Sequence, residues 1–235
     1  MYLVIVLLLL LIVMPTAVVW YGLSFKPDYW QPVDPTQPDV RQAAERFEQS
    51  LREQVRPPLP TPGPSFISGP SLTPGRAEPV EWTVEITQEQ LNVWLRVRLT
   101  EWGANRGVDP RVLELLSRGM ISIELGAVEV ALPFTKAAVS GVIRLRYRPA
   151  GGGGDGRVRL IAEDAHAGLA PVPIATAFES ILSHVPQGEE GKIEGLRARA
   201  RAIDLLVPLR DGRVAGVVDM ALLPGKAIVT FRTLS

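Results

Sequence analysis

The sequence predicts an α+β fold: a curved antiparallel sheet packed on one or two amphipathic helices, preceded by an N-terminal transmembrane helix and a Pro-rich linker. Three observations carry this reading. Residues 2–23 are almost wholly apolar. A proline-dense stretch follows at residues 57–79. Beyond it, strand-like alternation dominates and is interrupted by two apolar helical stripes. The chain divides accordingly into an anchor (1–24), a juxtamembrane helix with linker (25–79) and a domain (80–235).

The apolar run contains VIVLLLLLIVM and ends in the aromatic pair Trp20 and Tyr21. A helix needs about 20 apolar residues to cross roughly 30 Å of hydrocarbon. Aromatic residues favour the membrane interface, and a membrane helix tolerates a residue such as Pro15. A cleaved signal peptide is the competing reading. It would carry a basic n-region, a shorter apolar core and a small-residue cleavage site. Here no Lys or Arg precedes the run and no A-x-A site follows it. Lys26 alone would put the following chain in the cytoplasm, yet large domains cross largely regardless of charge.

The 235 residues include 25 basic and 25 acidic side chains, two His and no Cys. Zero net charge argues against a general nucleic-acid binder, whose footprint is basic. The lack of Cys excludes disulfides and thiolate metal sites and is compatible with either side of a membrane. No cofactor and no metal site is expected.

Residues 39–56 read as a helix, with Val40, Ala44, Phe47 and Leu51 on one face and Glu48 and Arg52 four apart. The expectation is a helix that docks loosely or stands in solvent. Residues 57–79 should be extended, because proline fixes φ and removes donors. They read as a spacer holding the domain away from the bilayer.

The domain opens with alternation at Glu81–Ile86, a half-buried strand. Thr87 and Gln90 form a capping box, with Ile86 and Leu91 as its apolar staple. Leu91, Trp94, Leu95, Leu99 and Trp102 then line one helical face, ending near Gly103. Asp109 and Pro110 open a second short helix. Ile121, Ile123 and Leu125 share one parity, and Val128, Val130 and Leu132 the other, so Gly126 and Ala127 should mark a bulge or sharp bend. Val139 to Tyr147 and Val158 to Ala162 predict a hairpin with the glycine-rich tip GGGGDG. That tip lacks the spacing of a phosphate loop. Ile174, Phe178, Ile181, Leu182 and Val185 form the stripe of a helix between Pro173 and Pro186. Strand-like stretches at 197–209, 213–223 and 227–233 close the chain, joined by Asp211-Gly212 and Pro224-Gly225.

Two of these stretches carry a family resemblance. One is Ile86-Thr87-Gln88-Glu89-Gln90-Leu91-Asn92, a strand running into a helix; the other is Ala167-Gly168-Leu169-Ala170-Pro171-Val172-Pro173, before an apolar helix. Placed after an N-terminal anchor, they resemble the YpmS-like family of small membrane-anchored extracytoplasmic bacterial proteins. More distantly the chain resembles the tubular lipid-binding, TULIP-like domains. The resemblance implies an extracytoplasmic domain and a curved sheet wrapped on a helix around an apolar cavity. The proline spacer and the GGGGDG tip depart from the pattern.

Candidate chemistry is sparse. Glu163, Asp164 and His166 gather at a strand end, but no third ligand or nucleophile stands at a familiar spacing. No catalytic residue is nominated. Ser180 and Ser183 lack a G-x-S-x-G elbow and read as surface residues. Arg144, Arg146 and Arg148, with Arg157 and Arg159, and later Arg197, Arg199 and Arg201, offer a basic face for anionic lipid or simply the wet side of a sheet. The candidate apolar pocket is lined by Leu91, Trp94, Leu95, Trp102, Phe178, Ile181 and Leu182. The expected function is a non-enzymatic, single-pass protein of the cell membrane whose extracytoplasmic domain binds a lipid or other apolar ligand. The alternative is a scaffold or assembly factor for an envelope membrane-protein complex. An enzyme would rest on Asp164 and His166 alone.

Overall fold

The computed structural model describes residues 22–31, 34–54, 79–105, 109–136, 139–151, 156–182, 201–208 and 213–234. Among these residues no helix is long and apolar enough to cross a membrane. The expected anchor, all but its last residues, lies outside them, as do most of the proline spacer, the GGGGDG tip, Val185, Arg197, Arg199, Asp211-Gly212 and the Leu182 side chain.

The α+β class holds, and every strand pairing is antiparallel. Two sheets form rather than one. The smaller has the order β1 (Glu81–Thr87), β10 (Lys226–Leu234), β9 (Val214–Leu223), β8 (Leu206–Pro208). The larger runs β2 (Met120–Glu124), β3 (Ala127–Lys136), β4 (Val139–Ala150), β5 (Arg159–Ala167), β6 (Ala170–Pro171), with β7 (Ala202–Asp204) also on β5. Only Leu205 separates β7 from β8, so one extended segment leaves the larger sheet and joins the smaller. The Val217 N–H donates to the Leu205 carbonyl, and the Val158 N–H to the Val217 carbonyl, which stitches the two sheets together.

Among the described residues five helices accompany the sheets: α1 (Pro38–Gln54), α2 (Gln88–Val97), α3 (Leu99–Ala104), α4 (Pro110–Ser117) and α5 (Ile174–Leu182). The Thr87 hydroxyl accepts from the Gln90 N–H at 3.2 Å while Gln90 Oε1 accepts from the Thr87 N–H at 2.9 Å, so the expected capping box forms. Asp109 caps α4 through the Arg111 N–H at 2.7 Å.

One expectation is narrowed and two change. Of the bulge or sharp bend expected near Gly126, the sharp bend forms: Glu124 pairs with Ala127, and Leu125-Gly126 is a two-residue turn with Gly126 at φ 71°. A positive φ costs glycine nothing, which is why the turn closes there. The helix starting at Gln88 breaks at Arg98, and its fully buried residues are Asn92 and Val93 rather than the Trp94/Leu95 stripe. The reason is that α1 packs along α2 while β2 lies on another side. Finally, α1 does not stand in solvent. Ala44 and Phe47 are buried, Leu51 joins the apolar core, and Arg98 Nε donates to Glu48 Oε2 at 2.8 Å. Burying a Phe-sized side chain contributes roughly 1.5–3 kcal/mol, enough to hold such a helix.

The apolar face of the larger sheet is covered in two parts. Ile123 and Val128 lie against Val84, Val217, Val229 and Phe231 of the smaller sheet, the first cluster. Ile143, Leu145, Tyr147 and Ala165 lie under Ala177 and Phe178 of α5, the second cluster.

Candidate functional site

The candidate site lies where α5, the turn before it and the segment following the apolar run meet one end of the larger sheet. Residues 22–24 are expected as the end of the anchor and 25–31 as linker, yet the segment 22–31 packs against the domain. The Leu169 N–H donates to the Gly22 carbonyl at 2.8 Å. Two glycines make that approach possible. A Cβ on Gly168 would stand 1.9 Å from the Gly22 oxygen, and one on Gly141 2.1 Å from the Leu23 oxygen. Gly168 also has φ 59°, so its turn needs glycine for a second reason.

Farther along, Pro27 is buried and the Tyr29 hydroxyl donates to Glu129 on β3. Glu129 is only 6% exposed. A buried carboxylate needs partners, and Arg144 supplies a second at 3.6 Å while donating from Nη2 to the Gly168 carbonyl at 2.9 Å. Tyr29, Glu129, Arg144 and Gly168 thus form a polar chain connecting both docked ends of the segment. Burial, then the hydrogen bond to Glu129 and its charge, raise the Tyr29 phenol well above the usual tyrosine range.

The arginines of β4 are neutralised rather than presented as a basic face. Arg146 pairs with Glu124 at 2.8 Å and Arg148 with Glu163 at 2.6 Å. Arg159 meets Asp204 at 2.7 Å. Asp164 and His166 sit on this charged face, opposite Arg146 and Arg144 respectively, with His166 Nδ1 3.7 Å from Asp164 Oδ1. Among the described residues no group of three His, Asp or Glu side chains could hold a metal ion.

The expected pocket residues separate into three places. Leu91 packs on the first cluster. Phe178 and Ile181 belong to the second, with Val130, Phe134, Val172 and Ile174 at its margin. Trp94, Leu95 and Trp102 fall in neither; the two indoles meet edge to face at 6.0 Å, and Trp102 is 42% exposed. The structure therefore does not unite α2 and α5 over one apolar surface.

Sequence reasoning missed Tyr29, Glu129, Gly141 and Gly168. A glycine inside the apolar parity of β4 was the readable sign, since such a residue marks close backbone approach. It also missed Gln88 and Asn92. Asn92 donates to the Ile121 carbonyl at 2.8 Å and accepts from the Ile121 N–H at 2.7 Å, while Gln88 accepts from the Ile123 N–H at 2.8 Å. The Gly225 N–H donates to the Ile123 carbonyl at 2.8 Å. Two side-chain amides and one turn thereby engage the outward groups of Ile121 and Ile123 on β2, which gives the Gln88–Asn92 stretch a structural role.

Comparison with family models, with curated proteins and with solved structures returns no match for this chain.

Proposed function

We propose that the protein is a single-pass, membrane-anchored, non-enzymatic domain on the extracytoplasmic side, which binds a lipid or another apolar ligand between α5 and the larger sheet. The anchor is the apolar run at residues 2–23, retained rather than cleaved. The observation that carries the reading is the thin cover of the second cluster. Among the described residues the cover is one nine-residue helix, IATAFESIL, in which Ala177 and Phe178 are buried while Ala175, Thr176 and Glu179 are exposed. Val172, Ile174 and Ile181 remain partly open around it. Apolar side chains with few polar groups between them suit an acyl chain or similar ligand. At the margin of this cluster Phe134 borders Gly141 and the Leu23 carbonyl, at the end of the apolar run.

The scaffold alternative draws less support. Its two handles were the helix at residues 39–56 and the arginine face. The first turns Ala44 and Phe47 into the domain, and of the second Arg144, Arg146, Arg148 and Arg159 are paired with carboxylates.

The test is native mass spectrometry of residues 22–235, which keep every described element, expressed in bacteria and purified without detergent. A stoichiometric lipid, released by organic extraction and lost in Phe178→Ala, is the expected result. A clean ligand-free mass for the unaltered chain would sink the proposal.

A further inference from the structure

We infer that the domain sits flush on the bilayer, with the Gly168–Pro171 turn and the first turn of α5 as its lipid-facing end. The inference rests on the anchor reading above and adds which surface meets the membrane. Gly22 lies at the very end of the apolar run and is bonded to Leu169, so the turn lies one hydrogen bond from the point where the chain leaves the anchor. The proline stretch cannot lengthen that connection. The chain before it, through Gly22, Leu23, Tyr29 and α1, is already docked, and the chain after it begins β1. Its length sets how the chain returns to β1, not how far the domain stands from the lipid.

The surface at this end matches a bilayer interface. From Ala167 to Phe178 the sequence holds no charged residue. Leu169 is 50% exposed, and Ala170, Pro171, Pro173, Ala175 and Thr176 are exposed around it. The opposite end of the larger sheet carries the Leu125-Gly126 turn beside the charged Glu124, Arg146, Arg148 and Glu163. Those two ends are separated along β4 from Gly141 to Pro149, roughly 25 Å at about 3.3 Å per residue. That exceeds the depth of a headgroup layer, so one end can touch lipid while the other stays in water.

The absence of cysteine makes the test clean. The full chain is reconstituted into vesicles of phosphatidylcholine and phosphatidylglycerol, with a nitroxide on Leu169→Cys, Ala170→Cys or Leu125→Cys. Collision with oxygen and with a water-soluble nickel chelate is read by electron paramagnetic resonance. The labels at 169 and 170 should collide several-fold more with oxygen relative to nickel than the label at 125. Two label sites at the same turn guard against a variant that misfolds. If the protein floats with vesicles but all three labels are equally open to nickel, the flush orientation is overturned and the anchor stands. If the chain does not float with vesicles, the anchor reading fails and this inference with it.

Discussion

The two halves of the larger sheet's apolar face are closed by different means. Ile123 and Val128 are sealed by a second sheet, with backbone bonds at Gly126, Val158 and Gly225 locking the seam. Among the described residues, Ile143, Leu145 and Tyr147 are closed by one short helix, which packs on them through Ala177 and Phe178. Side-chain packing can loosen locally at low cost, whereas a hydrogen-bonded seam opens only with the fold. The first half is therefore architecture, and the second, beside the docked Gly22, is where the ligand proposed above would enter.

The widest gap between the halves should appear on truncating one aromatic residue in each. Phe231→Ala, which removes the ring stacked on Trp82 at 5.7 Å, should cost about 3–5 kcal/mol in urea unfolding. Phe178→Ala should cost less, because α5 can settle onto the sheet and the loss depends on such collapse. Equal losses would erase the distinction. Next in size, Asn92→Ala strands the N–H and carbonyl of Ile121. At roughly 1–3 kcal/mol for each unpaired group, and toward the lower part of that range because Ile121 is only half-buried, a loss of about 2–4 kcal/mol is expected by the same method. A loss within error of zero would show that the helix amide is not what closes the β2 edge.

A smaller effect sharpens the role of the docked segment. Gly168→Ala forces a side chain into a left-handed conformation at about 1–2 kcal/mol and into the path of Gly22. Hydrogen exchange should rise across residues 22–31 and at Leu169, while β9 and β10 stay protected. Unchanged exchange at Leu169 would mean that the segment docks without the glycine.

The mildest effect is with pH. Both Tyr29 and Tyr147 are held protonated in the fold, Tyr147 because burial pushes its phenol up to about 12. An unfolded tyrosine ionises near 10. Their contribution is thus complete below about pH 10 and is lost as the pH climbs past it. Docking of residues 22–31 should weaken over that alkaline range, and Tyr29→Phe should abolish the dependence for this segment alone. Tyr147→Phe should instead flatten the alkaline loss of global stability. Docking that is indifferent to pH in the unaltered chain would remove Tyr29 from the account.

Local signals were legible in the sequence. The Thr87–Gln90 box, the stripe of α5 and the β4–β5 hairpin each depend on residues close in the chain. The docked N-terminal segment was not legible, because its logic is long-range: Tyr29 and Glu129 stand 100 residues apart. Proline content argued for an uncored linker and concealed that both flanks of the stretch belong to one body. The stripe of α2 misled for a related reason. Periodicity names the apolar side of a helix, but a helix touched by both α1 and β2 can bury an asparagine in preference to a tryptophan.

The amides of Gln88 and Asn92 have a consequence for the anchoring proposed above. Proteins confined to a membrane meet one another side-on and often, and an open sheet edge invites a neighbour to add its own strand. On β2 the outward groups of Ile121 and Ile123 are already engaged. A neighbouring copy would have to break four hydrogen bonds before it could make any, so this edge of the larger sheet is closed to lateral growth.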